Sequence, residues 1–356
     1  MTEHGDCFMK SMGCRFACLS RPAGTASLLR SGMTAFCGFA LFLLLFAGSV
    51  TASDDENVAR QWLERMMEAV RVLEYQGTFI YLHDNQLETM RIIHAISDGL
   101  PHERLISLNG APREVIRDRD SVTCVMPESQ QVSIDKRPPT NKFLDLLPEN
   151  LEQISLSYAF RTLGETRVAD RQAKVVAIIP RDGFRYGYRF YLDQESALPL
   201  KSDLMNEEGK AVEQTMFTEL EVGTAELGVV VHKGARKAVD ANSNTPERTP
   251  SSVANWSFRK LPAGFTLSVQ DLLPNSTDGE MVEHYVLSDG LASLSVFIEP
   301  IGQITALEGV SRLGAINAWG GQVDDHQVTA VGEVPAVTLL SVVKSMHRTQ
   351  KTARAE

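Results

Sequence analysis

From Tyr75 to Val222, turn-forming residues recur every eight to twelve positions. That spacing leaves no room for long helices and predicts an antiparallel meander of short strands. The segments read as Tyr75–His83, Gln86–Ile96, Pro101–Leu108, Arg113–Arg117, Val122–Met126, Ile154–Thr162, Thr166–Asp170, Ala173–Pro180, Arg185–Asp193, Leu200–Asn206 and Ala211–Val222. Asp84-Asn85, Asn109-Gly110, Asp182-Gly183 and Glu208-Gly209 punctuate them. One strand is written in strict alternation: Tyr186, Tyr188, Phe190 and Leu192 fall on one face, Arg185, Arg189 and Tyr191 on the other. In Tyr75–His83, Phe79 and Tyr81 alternate likewise against Thr78, Ile80 and Leu82. An aromatic face on such a sheet is either packed core or the wall of an apolar pocket.

About eleven strands make a sheet too large to stay flat, so it is expected to curl. Asn57–Leu73 supplies one amphipathic helix, with Val58, Trp62, Met66, Ala69, Val70 and Leu73 at helical spacing and Asp54 or Asp55 as N-cap. A helix filling the concave side of a curled sheet leaves a space between them. Phe79, Tyr81, Tyr186, Tyr188 and Phe190 are then candidate walls of a lipid cavity. Lys136–Asn150 breaks the strand pattern and reads as a loop with one helical turn, packed by Phe143 and Leu147.

Residues 233–253 are polar, with Pro246 and Pro250 and almost no aliphatic side chains between Asp240 and Ser252. Such a segment cannot bury enough surface to order itself and reads as a flexible linker. It separates a large domain (53–232) from a small α+β domain (254–348) with a short tail (349–356). The small domain shows strands at Phe265–Val269, Met281–Ser288, Ala292–Glu299, Ala315–Trp319 and His326–Val331, a hairpin turn at Asp289-Gly290, a turn at Gly320-Gly321, and a last helix, Ala336–Met346, opened by Pro335.

The first fifty residues differ from the rest. Lys10, Arg15, Arg21 and Arg30 precede an uncharged apolar run from Met33 to Phe46, and Gly48-Ser49-Val50-Thr51-Ala52 follows. This is the pattern of a secretory signal, with Val50 and Ala52 at the small-residue positions before the cut. The apolar run is shorter than the roughly 20 residues a spanning helix needs. Residues 1–52 are therefore read as a cleaved leader and the protein as exported to the periplasm. Cys7, Cys14, Cys18 and Cys37 leave with it, so Cys124 remains alone, in an apolar strand, as a buried thiol. The leader holds four Lys/Arg and two Asp/Glu, so its loss takes the formal charge from −10 to −12. A chain this acidic is a poor partner for nucleic acid.

Catalytic patterns are missing from the sequence. There is no HExxH, CxxC or HxH spacing for a metal and no G-x-S-x-G for a nucleophile. Asp324-Asp325-His326 is the densest potential ligand set, but adjacent strand residues point to opposite faces, so a solvated turn is the better reading. No catalytic residue, metal or cofactor is expected, and the chain is read as a binding protein rather than an enzyme. An aromatic hollow suits an acyl chain. Arg181, Arg185 and Arg189 lie along one hairpin, where Arg185 and Arg189 are candidates for a phosphate or carboxylate head group. The alternative is that these arginines pair with Asp182, Glu207 or Glu213 on neighbouring strands.

Tyr75-Gln76-Gly77-Thr78-Phe79-Ile80-Tyr81, the run Glu103 to Val115, Arg185-Tyr186-Gly187-Tyr188 and Leu198-Pro199-Leu200-Lys201 together resemble the RseB/MucB family. In the second domain Leu261-Pro262-Ala263-Gly264-Phe265, the run His284 to Glu299 and the run Asp325 to Pro335 are similar to the same family. The motifs occur in order over essentially the whole mature chain. The resemblance implies a large domain shaped as a half-barrel like the lipoprotein carriers LolA and LolB. It also implies a periplasmic regulator that binds the periplasmic part of an RseA- or MucA-type anti-sigma factor. By covering that part, such proteins block site-1 proteolysis and restrain the envelope-stress sigma factor, sigma-E or AlgU. Lipopolysaccharide or lipoprotein acyl chains are the implied release signal. Trp256 and His326 are the candidates for partner contact, and a homo-oligomer is compatible with the chain. The competing reading is a lipid or lipoprotein carrier, which the second domain argues against. If the leader is cut after Ala52, N-terminal sequencing of the exported protein begins at Ser53; any other first residue overturns that assignment.

Overall fold

The computed structural model describes residues 52–349, apart from 119–120, 127–130, 136–146, 149, 224, 226–236, 241–248, 251–254, 275–280 and 302–307. The expected leader up to residue 51, the turn at Phe143, most of the expected linker and the tail from 350 lie outside the described residues. The described residues belong to one compact unit.

The chain opens with helix α1 (Ala52–Val72) and continues into strands β1 (Tyr75–His83), β2 (Gln86–Ser97), β3 (Leu100–Ser107), β4 (Glu114–Arg117), β5 (Val122–Met126) and β6 (Gln131–Asp135). A single turn of helix, α2 (Glu152–Ser155), leads to β7 (Tyr158–Val168), β8 (Arg171–Pro180), β9 (Gly187–Asp193), β10 (Pro199–Met205) and β11 (Ala211–Val222), and β12 (Lys237–Asp240) completes the set. Among the described residues these form one twelve-stranded sheet in the order β12-β6-β5-β4-β3-β2-β1-β11-β10-β9-β8-β7. The ladder is antiparallel except where β12 joins β6 in parallel. Two differences from the sequence reading stand out. Gln131–Asp135 is a strand that its polar composition concealed, and β12 occupies four residues of the segment read as linker.

The turns behave as their residues require. Asp84 and Asn85 both adopt positive φ, 44° and 58°, which the two-residue hairpin between β1 and β2 demands. Gly77 on β1 has no side chain where one would meet the backbone of Glu219, and the ring of Phe217 fills that space instead. Phe217 then packs edge-on against Phe79, with ring centroids 5.7 Å apart.

The sheet curls strongly at one end. Strands β7 and β11 are four places apart, which in a flat sheet is about 19 Å. Their Cα atoms nevertheless approach within 8 Å. Helix α1 lies in the hollow. Ala59, Leu63 and Met66 pack on Tyr158, Phe160, Val176, Ile178, Phe190 and Leu192. One turn on, Ala69 and Val70 pack on Tyr75, Phe79, Ile92, Phe217 and Leu220. Of the expected stripe, Met66, Ala69 and Val70 are buried and Trp62 and Leu73 pack on the core, while Val58 is exposed and Ala59 and Leu63 are fully buried in its place. The helix also starts earlier than read, so Asp54 and Asp55 stand in its first turn rather than at the N-cap. There Asp55 accepts hydrogen bonds from the backbone N–H and hydroxyl of Thr162, fastening α1 to β7.

The small domain is built from β13 (Thr249–Pro250), β14 (Trp256–Phe258), β15 (Thr266–Pro274), β16 (Met281–Ser288), β17 (Ser293–Pro300), β18 (Gly309–Leu313), β19 (Ile316–Val323), β20 (His326–Gly332), helix α3 (Ala336–Ser345) and β21 (Met346–Arg348). Seven of these strands form a sheet in the order β13-β15-β16-β17-β20-β19-β18, and β14 pairs with β21. Helix α3 buries Leu339, Val342 and Val343 against Tyr285, Leu287, Val296 and Val328 of that sheet. Gly320 and Gly321 lie within β19 rather than at a turn, and the Trp319 ring covers Gly321.

Asp193, at the end of β9, is nearly inaccessible and takes two hydrogen bonds from Arg171, at 3.0 and 2.8 Å, and two from Ser196. Burial opposes its charge, but these donors outweigh burial and hold its pKa below the ordinary 3.8. The folded pKa lies below the unfolded one, so this stabilisation is complete above pH 3.8 and is lost as pH falls through the folded value. Denaturant unfolding as a function of pH is expected to show an acid-side decline that Asp193→Asn flattens; an unchanged decline in the variant would exclude the pair as its source.

Candidate functional site

The segment between β8 and β9 carries the chemistry that the alternation of Phe184–Asp193 hinted at, arranged differently. Strand β9 begins only at Gly187, so Arg185 and Tyr186 precede the strand and reach the small domain instead. Arg185 has no exposed side-chain surface. Its Nη1 donates to Asp289 Oδ2 at 2.5 Å, and Asp289 is equally inaccessible. Its Nη2 donates to the Ala263 carbonyl at 2.5 Å, and Nε and Nη2 each donate to Asp182 at 3.0 Å. The rings of Tyr158 and Phe265 flank the guanidinium, with centroids 5.4 and 5.0 Å from Cζ. Burial works against the Arg185 charge, but hydrogen bonding to Asp182 and the Asp289 charge overcome it and raise its pKa.

Asp289 is itself held by its turn. Its Oδ1 accepts the N–H groups of Leu291 and Ala292, and its Oδ2 accepts the Tyr158 hydroxyl at 3.0 Å. Burial, then the neighbouring Asp289 charge, raises the Tyr158 pKa, so the phenol remains a donor. Gly264, with φ of 84°, lets the Pro262–Phe265 turn press against Ser157 and Arg185; a side chain there would collide with the Ser157 hydroxyl. Two more hydrogen bonds join the same segment to the small domain. Thr338 Oγ1 donates to the Phe184 carbonyl at 2.6 Å, and Asn317 Nδ2 donates to the Tyr186 hydroxyl at 2.9 Å.

This docking roofs part of the concave sheet and leaves a cavity of about 670 Å³ between the two domains. Its floor is the large sheet, with Phe79, Tyr81, Met90, Ile92, Leu105, Tyr188 and Leu204; its roof is Leu291, Leu294, Ile316 and Val331 of the small domain. The polar lining includes the Glu103–Arg117 pair at 2.5 Å, Glu213 and Glu333. Tyr81 donates to Glu213 at 3.0 Å. Burial first, then the Glu213 charge, raises the Tyr81 pKa; burial first, then Glu333 and Glu213, raises that of Tyr188. Both phenols stay protonated.

Of the cavity candidates read from sequence, Phe79, Tyr81 and Tyr188 line this space. Phe190 does not: it is 1% exposed beneath α1, with Tyr188 stacked on it at 5.7 Å. Tyr186 does not either, because it is buried with Leu204 and Ala315 at the domain contact. The head-group assignment of Arg185 is corrected outright, since its donors are spent on Asp182, Asp289 and Ala263. Arg189, on the alternate face of β9, is half-buried and lies outside the cavity lining. Trp256 is 1% exposed in the small-domain core and offers no ring surface to a partner. It does meet His326, ring to ring at 5.4 Å, although the two are far apart in sequence. His326 is half-buried, bonded to Asp325 at 2.8 Å and beside the Arg348 guanidinium. Among the described residues, no group of three His, Cys, Asp or Glu side chains is placed to hold a metal ion.

Sequence reading missed Asp289, which looked like a turn residue only, and Asn317 and Thr338, which carry no local signal. Replacing Arg185 with Met leaves the Asp289 carboxylate buried without its countercharge. Denaturant unfolding of that variant is expected to show a loss of about 3–5 kcal/mol; a loss below about 1 kcal/mol, typical of surface pairs, would mean that the pair is solvated.

The model of the MucB/RseB N-terminal domain matches residues 58–246, and that of the MucB/RseB C-terminal domain matches residues 250–347. The sigma factor AlgU regulatory protein MucB of Pseudomonas aeruginosa is 36% identical over 313 residues, 85% of this chain and 96% of that protein. The sigma-E factor regulatory protein RseB of Haemophilus influenzae is 28% identical, over 87% of this chain and 97% of that protein. Among solved structures, the complex of Pseudomonas aeruginosa MucA and MucB aligns with a TM-score of 0.64 at 33% identity, covering 82% of this chain and 98% of the matched one.

Proposed function

The chain belongs to the MucB/RseB family, and from that premise we propose that it restrains an envelope-stress sigma factor from the periplasm. It binds the periplasmic segment of a MucA- or RseA-type anti-sigma factor and shields that segment from site-1 proteolysis. Lipopolysaccharide, or the acyl chains of a mislocalised lipoprotein, releases the segment. The chain acts as a binding protein, exported with a cleaved leader, with a large and a small domain divided around residues 233–253.

The observation that carries this reading is the correspondence to MucB across both domains, including nearly the whole length of the MucB chain solved with MucA. The lipid clause is supported by the cavity, whose aromatic floor of Phe79, Tyr81 and Tyr188 suits an acyl chain. A carrier that loads and unloads a whole lipid needs the concave face of its sheet open, and here the small domain covers part of that face. The regulatory reading is therefore preferred.

Calorimetric titration of the mature protein with a MucA-type periplasmic segment is expected to give saturable binding that added lipopolysaccharide weakens at least tenfold. No binding of the segment would defeat the regulatory assignment, and binding indifferent to lipopolysaccharide would defeat the lipid clause alone.

A further inference from the structure

The cavity has two owners. Its floor belongs to the sheet domain and its roof to the small domain, so it exists as a roofed cleft only while the two are docked. Roof residue Leu291 also packs on the sheet-domain core, but the ion pair and hydrogen bonds that dock the domains lie outside the cavity lining. The Arg185–Asp289 pair, the Arg185 bond to the Ala263 carbonyl and the bonds from Thr338 and Asn317 all gather on five residues, Asp182 to Tyr186. The next residues along enter β9, where Tyr188 forms part of the floor. The lock and the pocket are thus two ends of one short stretch of backbone.

We infer that this cavity is a composite site for a single acyl chain, formed by both domains and held together by the buried Arg185–Asp289 lock. This rests on the lipid clause of the proposed function and fixes where the chain goes. The volume suits one long chain and lies within the roughly 300–1,000 Å³ of small-molecule pockets. A multiply acylated lipid places one of its chains here. Three carboxylates and one guanidinium, Glu103, Glu213, Glu333 and Arg117, are the charged residues among the described lining. That wall disfavours an anionic head group, which stays at the mouth while the tail enters.

Linkage follows. A ligand that binds only the docked arrangement favours docking, and its apparent affinity falls in proportion to the docked fraction. Acyl binding and domain docking are then one equilibrium. A partner that binds the docked and open arrangements unequally responds to the acyl chain through it.

The test uses the full mature protein with myristoyl lysophosphatidylcholine, a zwitterionic single-chain probe, titrated as monomer by calorimetry. Small-angle scattering reads the docked fraction independently. Asp289→Asn keeps the side-chain oxygen that accepts from Leu291 and Ala292 but removes the charge facing Arg185. It is expected to weaken probe binding at least tenfold, with the docked fraction falling to about a tenth. Should that variant not fold, the milder pair Tyr186→Phe with Thr338→Val leaves the ion pair intact, and a roughly threefold loss with a matching drop in docking is expected. Unchanged affinity with the domains apart would overturn the inference by placing the site in the large domain alone. Unchanged affinity and docking would overturn the lock, and so would weakened binding with the domains still docked. If the unmodified protein takes no probe, this inference and the lipid clause fall together while segment binding stands. Equal binding by unmodified protein and variant sinks only the inference.

Discussion

A guanidinium and a carboxylate with no solvent contact hold the two domains of this protein together, and most of its architecture is disposed to make that tolerable. Two buried charges are expensive unless each is surrounded by further partners. Arg185 therefore has Asp182, the Ala263 carbonyl and two aromatic rings, and Asp289 has Tyr158 and two turn amides. These partners come from four separate segments. The packing of α2 and of the Pro262–Phe265 turn follows from the need to bring them to one point, with Gly264 admitting the closest approach.

The curl of the sheet provides the other half of the design. A sheet of twelve described, almost entirely antiparallel strands cannot remain flat, and here its β7 end closes toward β11 around helix α1. The helix is too short to fill the whole hollow. It covers the floor as far as Phe79 and Phe217, and the roof over the rest is borrowed from the small domain. A cavity between two domains that share one lock can report its contents as a change in domain arrangement. That property suits a regulator whose partner is a second polypeptide.

The sequence reading fared best where physics is local. The hairpin at Asp84-Asn85, the alternation of Tyr188, Phe190 and Leu192, and the helix ahead of the sheet depend on neighbours within a few residues, and all appear in the structure. Its errors share one cause. For Arg185 the alternative of pairing with nearby Asp182 holds, but its second partner, Asp289, is more than a hundred residues away in what looked like an ordinary hairpin turn, and nothing local pointed to it. Phe190 and Tyr188 share one face of one strand, yet one lies under α1 and the other in the cavity. The pattern reports the face and says nothing of what covers it.

The amino-acid sequence by itself determined that this chain forms a large antiparallel sheet with an amphipathic helix, followed by a small α+β domain, and its motifs sufficed to mark the family. Those properties follow from turn chemistry and from side-chain periods of 2 and 3.6, which need no knowledge of distant contacts. Only the tertiary structure decided which aromatic residues are core and which line a cavity, and that Arg185 is a lock between domains. Burial and charge pairing depend on which segments meet in space, and a linear pattern does not carry that information.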